Sequence, residues 1–302
     1  MNQTAKDWLQ ETAEELRSIG LDTTIAWQEA LLLLSHVTGR EKEWLVAHQE
    51  KTLLQQTRTR LKHALQRRLR HEPVAYIVGT QPFCGNDIYI DRRALIPRSE
   101  TEDMTFRAME VIQDTEGRVL VWDVGTGSGA IAVSIALIFP HIKIIASDAR
   151  RSAINLAEEN ARARKVKNIE FTNSDLLGRN VQKILRESDA SHVFVISNLP
   201  YLPKSDKKFM MKDVLSFEPW SALFAKNKGL DLNQRLLRQL SDWVNKHNEI
   251  NLTLFMEFDP PQAQILEERA SKLFSSAKIR VKKDSCDRDR YLELNYRPAK
   301  SR

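Results

Sequence analysis

The stretch that decides the fold is "VWDVGTGSGAIA", residues 121–132, which reads as a short apolar strand, a glycine-rich turn and the start of a helix. Glycines allow the backbone to approach a ligand closely, and the first turn of a helix offers N–H donors. The turn therefore predicts a cofactor loop, although nucleotide dehydrogenases and simple turns share its spacing. The residues predicted to contact the cofactor here are Asp123, Gly125, Thr126, Gly127, Ser128 and Gly129.

Strands and helices alternate after this stretch. "IKIIASD" (142–148), "IEFTNSD" (169–175) and "HVFVIS" (192–197) read as buried strands, and "SAINLAEENARAR" as a helix. Because parallel neighbours need crossover connections, the pattern predicts a doubly wound parallel sheet. The chain ends with "KIRVKK" and "RYLELNY", which the charged turn "DSCDRD" joins into a predicted antiparallel pair. By analogy of fold, this ending favours an S-adenosylmethionine-dependent methyltransferase over a dinucleotide dehydrogenase.

Acidic side chains mark the ends of the next two predicted strands. Asp148 stands where a carboxylate can accept hydrogen bonds from both hydroxyls of a ribose. Asp175 and Leu176 follow the third strand and offer one polar and one apolar contact for an adenine. Helix capping is the alternative interpretation of both acidic residues. Together with the glycine turn, these strand ends predict one cofactor crevice at the edge of the sheet.

The fourth strand ends in "SNLPYLP", residues 197–203, whose polar and aromatic residues suit a substrate site. The lone pair of a planar NH2 group is delocalised, so the nitrogen must be held in line with a methyl donor. Asn198 offers a side-chain carbonyl as an acceptor. Leu199 offers its main-chain carbonyl, which stays free of ladder hydrogen bonds because Pro200 follows. Tyr201 can stack on the planar group. The motif predicts methyl transfer to an NH2 nitrogen without a strong general base, although it can also be an ordinary strand-ending turn.

The chain before the glycine turn has two parts of different periodicity. Apolar residues recur at helical spacing from Thr4 to about Arg70, with Asp22 or Thr23 capping one helix and Gly39 ending it. The stretch that follows, up to about residue 102, contains prolines, glycines and the alternating "DIYID", which predict a β-hairpin bridge. We predict a helical domain over 1–75, a hairpin linker over 76–100 and a catalytic domain over 101–302.

Composition narrows the class of protein. A chain of 302 residues with 42% hydrophobic content can bury a sizeable core, and two cysteines are too few for a disulfide framework. The net charge of +6 comes from 46 basic and 40 acidic residues, which favours a mixed, solvated surface over a nucleic-acid face. No signal peptide or membrane-spanning segment is evident. These features predict a soluble, cytoplasmic protein.

The sequence resembles the N5-glutamine methyltransferases of class 1 peptide chain release factors, the HemK or PrmC family. The matching stretches are "EALLLLSHVTGREKEWLVAH", "EPVAYIVGT", "LIPRSETE", "VWDVGTGSGAIA", "ISNLPYLP", "FEPWSALFAKNKGLD" and "KDSCDRDRYLEL". The resemblance implies a five-helix N-terminal domain that docks the release factor, a hairpin linker and a Rossmann-like, class I catalytic domain of α/β fold. It implies that Gly125 to Gly129, Asp148, Leu176 and Asn198 contact S-adenosylmethionine, and that Asn198 to Tyr201 hold the substrate glutamine.

The chain departs from the family pattern in three places. Leu199 stands where the family motif Asn-Pro-Pro-Tyr has its first proline, Ser99 replaces a proline, and "MEFDPPQ" replaces a smaller sequence. Asn-Leu-Pro-Tyr is also the form found in ribosomal RNA adenine N6-dimethyltransferases, so an RNA enzyme is the first alternative. A degenerate S-adenosylmethionine-binding docking protein is the second.

We predict a monomeric enzyme that needs no metal, membrane or nucleic acid. For four residues of the matching stretches, the sequence does not decide between substrate contact and structural support. They are Arg98, Glu100, Glu218 and Trp220.

Overall fold

The computed structural model describes residues 3–298 and divides into two compact units. The helical unit holds the chain up to Thr80 together with Met210–Phe217, and the larger unit holds Gln81–Phe209 and the chain from Glu218 onward. The domain boundaries given above stay a prediction. None of the helices between residues 3 and 298 has both the length and the apolar composition that a membrane crossing requires.

Helices and strands follow the chain in this order. The helices are α1 (Ala5–Ser18), α2 (Thr23–Thr38), α3 (Lys42–Ala47), α4 (Gln55–Leu69), α5 (Val74–Val78), α6 (Ser99–Gln113), α7 (Ala130–Ile138), α8 (Arg151–Ala163), α9 (Arg179–Glu187), α10 (Lys212–Phe217), α11 (Trp220–Leu223), α12 (Asp231–Val244) and α13 (Ala263–Leu273). The strands are β1 (Thr80–Phe83), β2 (Asn86–Tyr89), β3 (Val119–Val124), β4 (Lys143–Asp148), β5 (Ile169–Asn173), β6 (His192–Ser197), β7 (Leu202–Pro203), β8 (Phe224–Ala225), β9 (Asn251–Glu257), β10 (Lys278–Lys283) and β11 (Asp289–Tyr296).

The helical unit has its own apolar core, built from one face of each longer helix. Asp22 caps α2 by accepting hydrogen bonds from two main-chain N–H groups, and Gly39 ends α2 with a left-handed φ of 66°, so both predicted signals are confirmed. Arg68 is buried within this unit. Its guanidinium pairs with Glu29 at 2.5 Å and lies 3.8 Å from Asp213, so α10 packs in the helical unit although it comes from a distant part of the chain.

The first residues assigned to the hairpin stretch form a helix instead. Val74–Val78 is α5, with Pro73 at its N-cap and Gly79 at its C-cap with a φ of 84°. Proline and glycine at these positions are helix boundaries as well as turn residues, which explains the error. The hairpin itself is confirmed by β1 and β2. Cys84 and Gly85 connect the two strands with φ values of 47° and 74°, as a type I′ turn requires.

The larger unit contains a seven-stranded sheet of order β10-β11-β9-β6-β3-β4-β5. The strands β9, β6, β3, β4 and β5 are mutually parallel, which confirms the doubly wound fold. The helices α6, α9, α11 and α12 of this unit are additional to those predicted from the sequence. α6 begins at Ser99, so the last residues of the stretch assigned to the hairpin bridge are helical. The order reverses between β3 and β6, so a crevice opens at the carboxyl ends of these strands.

The final strand changes the direction of the sheet. β11 pairs antiparallel with β10 and also antiparallel with β9, so it lies between them. The predicted antiparallel pair is therefore confirmed. The pairing of β11 with β9 is an additional finding, because the alternation of strands and helices along the chain does not show which strands are neighbours. The insertion places Tyr291 opposite Glu257, the last residue of β9.

Candidate active site

A cavity of about 990 Å³, counting its mouth, opens at the carboxyl ends of the parallel strands in the larger unit. The wall includes most of the residues predicted from the sequence. They are Gly125, Thr126, Gly127, Ser128, Asp148, Asp175, Leu176, Asn198, Leu199 and Pro200. Asp123, Gly129 and Tyr201 are not among the lining residues.

The glycine turn is held by the neighbouring strand. The main-chain N–H groups of Gly125 and Thr126 both donate to the carbonyl of Ser147, at 2.8 and 2.9 Å. Gly125 has a φ of 73°, which favours glycine. Gly129 serves packing instead: a Cβ built there would lie 2.9 Å from the Cβ of Ala157 on α8. The turn therefore presents its first residues to the cavity and its last residue to a helix.

Asp123 lies beneath the turn and does not reach the cavity wall. Its carboxylate is fully buried and accepts hydrogen bonds from the Thr126 hydroxyl (2.6 Å) and the Ala132 N–H (3.2 Å). Burial raises the pKa of Asp123 to about 7, although both hydrogen bonds lower it. In this geometry Asp123 orders the turn through its Oδ2, whereas its buried Oδ1 has no hydrogen-bond partner among residues 3–298. The contact with the cofactor predicted for Asp123 stays a prediction.

Replacing Asp123 by asparagine should stabilise the fold more at alkaline pH than at acid pH. The pKa of Asp123 is about 7 in the folded chain, against about 3.9 for an ordinary aspartate. The folded state therefore holds the extra proton between these values, and the parent loses stability as pH rises through this range. We expect the difference in free energy of unfolding, variant minus parent, to increase by about 3 kcal/mol from pH 5 to pH 8 in urea titrations. A difference independent of pH would contradict this account of the buried carboxylate.

Asp148 ends β4 with its carboxylate beside the glycine turn. One oxygen accepts from the main-chain N–H of Gly127 (3.1 Å), and the other accepts from the N–H of Arg150 (2.8 Å). A carboxylate oxygen can accept a second hydrogen bond, so this orientation leaves capacity for two ligand hydroxyls. The geometry fits the ribose contact predicted for Asp148, which stays a prediction. The helix-capping alternative is not supported, because α8 has Arg150 at its N-cap and no side-chain cap hydrogen bond.

Asp175 and Leu176 line the cavity in different ways. The Asp175 side chain is 63% exposed and pairs with Arg235 at 2.8 Å. Leu176 is buried and adopts a left-handed φ of 50°, which turns the chain after β5. An apolar residue held in this way suits the face of a planar ring, whereas the exposed, paired Asp175 is the weaker of the two acidic contacts.

Replacing Asp148 by alanine should weaken S-adenosylmethionine binding far more than replacing Asp175. Loss of a charged hydrogen-bond acceptor in the wall costs about 1.5–3 kcal/mol, or roughly 10- to 150-fold in the dissociation constant. The exposed Asp175 is the matched control, because the same change there should cost under about 1 kcal/mol. Calorimetric titration of both variants gives the comparison. Equal losses, or none for Asp148→Ala, would mean that the ribose lies elsewhere.

The motif after β6 brings the predicted substrate residues to the same cavity. Asn198 is half-buried, and its Nδ2 donates to the hydroxyl of Thr101 at 2.8 Å. No hydrogen bond among residues 3–298 uses its Oδ1. Leu199 is buried, and its Cδ2 lies 2.8 Å from the position of a Cβ on Gly125. The leucine side chain thus fills the space beside Gly125 that a larger residue would occupy, so the substrate motif packs directly against the glycine turn.

Tyr201 is held at both ends rather than turned toward the cavity. Its hydroxyl donates to Glu257 Oε1 at 3.0 Å, and its main-chain carbonyl accepts from Gln262 Nε2 at 2.8 Å. Gly229 passes against the same carbonyl so closely that a Cβ there would lie 1.8 Å from the oxygen. Stacking of Tyr201 on a substrate stays a prediction, while these contacts give the residue a clear role in ordering the motif.

Several residues that shape the site do not appear among the sequence predictions. Thr101, Glu257, Gln262 and Gly229 contact the motif directly. Their signals lay in quoted stretches: Thr101 in "IPRSETE", Glu257 and Gln262 in "MEFDPPQ", and Gly229 in "NKGLD". Each stretch is remote in sequence from Asn198, so only the fold shows the contact.

The four residues with open roles now have partners within the larger unit. Glu218 is buried, and its carboxylate accepts from Arg98 (2.6 Å) and from the N–H of Ile96 (3.1 Å). Glu100 accepts from Arg288 at 3.0 Å. Trp220 is exposed, with the ammonium of Lys207 3.4 Å from its ring centroid. These contacts favour structural support for Arg98, Glu100 and Glu218.

Known protein families match both the N-terminal helical part and the part that contains the glycine turn. The PrmC N-terminal domain family matches residues 7–79, and the methyltransferase small domain family matches residues 105–215. Release factor glutamine methyltransferases from Enterococcus faecalis and Koribacter versatilis are 33% and 35% identical, covering 82% and 72% of this chain and 84% and 75% of theirs. The enzyme of that name from Escherichia coli is 32% identical, covering 74% of this chain and 76% of its own.

Solved structures support the fold of the larger unit. The hMettl16 catalytic domain, in complex with an MAT2A 3′UTR hairpin, superposes with a TM-score of 0.53 at 14% identity. The match covers 72% of this chain and 77% of that chain. At this identity the similarity concerns the fold alone.

A sheet with this strand order and a cavity beside its glycine turn defines an S-adenosylmethionine-dependent methyltransferase, in agreement with the match over residues 105–215. S-adenosylmethionine is accordingly the methyl donor. The chain belongs to the family of release factor glutamine methyltransferases, because relatives of that name are at least 30% identical over most of both chains.

Proposed function

We propose that this enzyme methylates the side-chain amide nitrogen, N5, of the glutamine in the Gly-Gly-Gln motif of class 1 peptide chain release factors. The observation that carries the proposal is the hydrogen bond from Asn198 Nδ2 to Thr101. This bond occupies the NH2 end of the Asn198 amide and leaves its carbonyl oxygen for the cavity that Asn198 lines. A carbonyl in that place suits the NH2 group of a substrate amide.

The chemistry needs orientation rather than a strong base. Bound S-adenosylmethionine supplies an electrophilic methyl group on a sulfonium. In the transfer, the amide nitrogen would form the new N–C bond as the S–C bond breaks, S-adenosylhomocysteine would leave, and the nitrogen would lose one proton to solvent. Asn198 Oδ1 and the main-chain carbonyl of Leu199 accept hydrogen bonds from the NH2 group and direct its lone pair toward the methyl. Pro200 has no N–H, which keeps the local backbone from forming a competing ladder bond.

The other predicted cofactor contacts follow from the cavity wall. Gly125, Thr126, Gly127 and Ser128 would approach the methionine part of the cofactor, and Asp148 its ribose. The adenine would lie against Leu176, with Asp175 at the edge. The geometry of the lining residues supports these assignments. Asp123 and Gly129 lie behind the wall, and their predicted cofactor contacts stay predictions.

The N-terminal part selects the protein substrate in this proposal. Support comes from the match of residues 7–79 to the PrmC N-terminal domain and from the names of the curated relatives. We propose that the enzyme acts as a monomer on the release factor in the cytoplasm, with no requirement for nucleic acid. The basic residues of α4 other than the buried Arg68 then belong to a solvated helix face.

Incubation with labelled S-adenosylmethionine distinguishes the proposal from its alternatives. One sample contains a class 1 release factor, a second contains the same factor with its Gly-Gly-Gln glutamine changed to alanine, and a third contains ribosomal RNA. We expect label only in the first sample. Label in RNA alone would favour the adenine N6 alternative suggested by Leu199. Cofactor binding without transfer to any sample would favour a docking protein.

A further inference from the structure

A buried carboxylate connects the two ends of the substrate motif. Glu257 is 1% exposed at the carboxyl end of β9. Its Oε2 accepts from the Thr101 hydroxyl at 2.7 Å, and its Oε1 accepts from the Tyr201 hydroxyl at 3.0 Å. Thr101 in turn accepts from Asn198 Nδ2 at 2.8 Å. The hydrogen bonds therefore run without a break from Asn198 through Thr101 and Glu257 to Tyr201.

Counting protons along this chain fixes the orientation of the Asn198 amide. An ionised carboxylate only accepts hydrogen bonds, and a threonine hydroxyl has a single proton to donate. Because Thr101 gives that proton to Glu257, its oxygen can only accept from Asn198. The NH2 end of the Asn198 amide must then face Thr101, and the carbonyl end must face away from it.

We propose that Glu257 is a positioning residue for methyl transfer: its carboxylate orients the Asn198 carbonyl through Thr101 and holds Tyr201 through its hydroxyl. The inference rests on the proposed function only in taking the substrate to carry an NH2 group. Glu257 touches neither the cofactor nor the substrate in this account. It acts by removing the second orientation of the amide, in which an NH2 group would meet the NH2 of the substrate.

The backbone at the carboxyl end of β9 and the loop after it are also fixed by side-chain hydrogen bonds. Asn233 on α12 donates to the main-chain carbonyl of Glu257 at 3.0 Å. Gln262 donates to the carbonyls of Tyr201 and Lys228, at 2.8 and 3.1 Å, and pairs with Asp259 in a capping box. A side chain whose backbone is fixed in this way can impose its orientation on its partners.

Protonation of Glu257 would reverse the sequence of donors. A neutral Glu257 can donate to Thr101, whose own proton can then turn to Asn198 and favour the opposite orientation of the amide. The charged and titratable groups that face Glu257 are Tyr201, Arg290 on β11 and Glu100 on α6. Burial raises the pKa of Glu257 to about 7, Arg290 and the two hydroxyl donors lower it, and Glu100 raises it. Activity should therefore fall as pH decreases through this value.

Single-turnover methylation of a release factor at saturating S-adenosylmethionine tests the assignment. We expect Glu257→Gln and Thr101→Val to slow transfer by roughly 10- to 100-fold, as loss of an orienting partner does elsewhere, with the cofactor dissociation constant changed less than about twofold. Thr101→Ser keeps the hydroxyl, so this variant should transfer the methyl group at about the parent rate. Glu293→Gln is the control for a buried carboxylate in the same sheet, because Glu293 pairs with Arg107 and not with the motif.

A double-mutant cycle separates positioning from a general structural effect. If Thr101 acts through Asn198, adding Thr101→Val to Asn198→Ala should cost no further activity. The pH profile gives a second readout: the parent rate should fall about tenfold per unit below pH 7, and the Glu257→Gln rate should stay flat. An additive Thr101→Val effect, a Thr101→Ser rate as low as that of Thr101→Val, or an unchanged acid limb in Glu257→Gln would overturn the proposal.

The two hypotheses fail in different ways. If the parent methylates the release factor but the Glu257 and Thr101 variants match it, the positioning role is wrong and the function stands. If the parent methylates adenine in RNA instead, the proposed substrate is wrong, and the same variants are compared on RNA. Should Glu257→Gln fail to fold, the Thr101→Val and Thr101→Ser pair decides the question alone.

Discussion

Asn198→Ala is expected to lower the single-turnover rate of methyl transfer by roughly 100- to 1000-fold, the loss seen when one preorganised hydrogen-bonding group is removed from a reacting centre. The Asn198 carbonyl is the side-chain acceptor at the cavity, and Thr101 holds the other end of its amide. Alanine removes the acceptor and leaves the main-chain carbonyl of Leu199. The substrate nitrogen can then rotate away from the methyl group.

Saturating S-adenosylmethionine keeps this measurement separate from cofactor binding. Asn168→Ala is the matched control, since Asn168 also donates its NH2 group, to the carbonyls of Phe139 and Ile142, but precedes β5 at the opposite end of the strand. The control should keep the parent rate. Parent-like transfer by Asn198→Ala would show that another group holds the substrate nitrogen.

Gly229→Ala is expected to damage both stability and transfer. A Cβ at Gly229 would lie 1.8 Å from the carbonyl oxygen of Tyr201 and 2.5 Å from Gln262 Nε2, and the φ of 86° already disfavours a side chain. The clash must displace Tyr201 or the loop that carries Gly229. A displacement of about 1 Å can cost roughly 100-fold in rate, and overpacking costs about 1–3 kcal/mol of stability.

Gly85→Ala separates the clash from backbone strain. Gly85 belongs to the same unit and has a φ of 74°, but nothing lies within 4 Å of a Cβ built there. Both variants force an alanine into the left-handed conformation, which costs a similar free energy in each. The difference in stability and rate between them therefore reports the clash with Tyr201. We expect near-parent transfer in Gly85→Ala, measured by single turnover beside chemical unfolding. Similar losses in the two variants would remove the steric argument.

The sequence predicted those parts of the site that lie at strand ends. Asp148 and Asn198 follow apolar runs, and the carboxyl ends of parallel strands meet at one edge, so their proximity follows from the fold class. The structure places both in the wall of one cavity. The turn before α7 was recognised for the same reason, because glycine spacing has a direct backbone consequence.

Contacts between distant segments could not be predicted in this way. Thr101 and Glu257 are separated by 156 residues, and their hydrogen bond depends on how α6 packs beside β9. Asp123 shows a different limit: its place next to the glycines does not reveal that its Oδ2 accepts from the Thr126 hydroxyl beneath the turn. Side-chain direction at a turn depends on local hydrogen bonds that sequence spacing does not specify.

Secondary structure was ambiguous where proline and glycine mark boundaries. Val74–Val78 forms a helix because Pro73 suits its N-cap and Gly79 its left-handed C-cap, signals that a hairpin also uses. The position of β11 between β9 and β10 could not be derived from alternation, which gives the order of elements along the chain and not their order in the sheet.

Mapping the methyl group on the release factor is the most direct test of the proposed function. The purified enzyme, S-adenosylmethionine and a class 1 release factor are incubated, and tandem mass spectrometry of the peptide containing Gly-Gly-Gln locates the modification. The account predicts one added methyl group on the side-chain amide of that glutamine, and none when Asn198→Ala replaces the parent for the same short time. A methyl group on another residue, or an unmodified peptide beside methylated adenine in RNA, would contradict it.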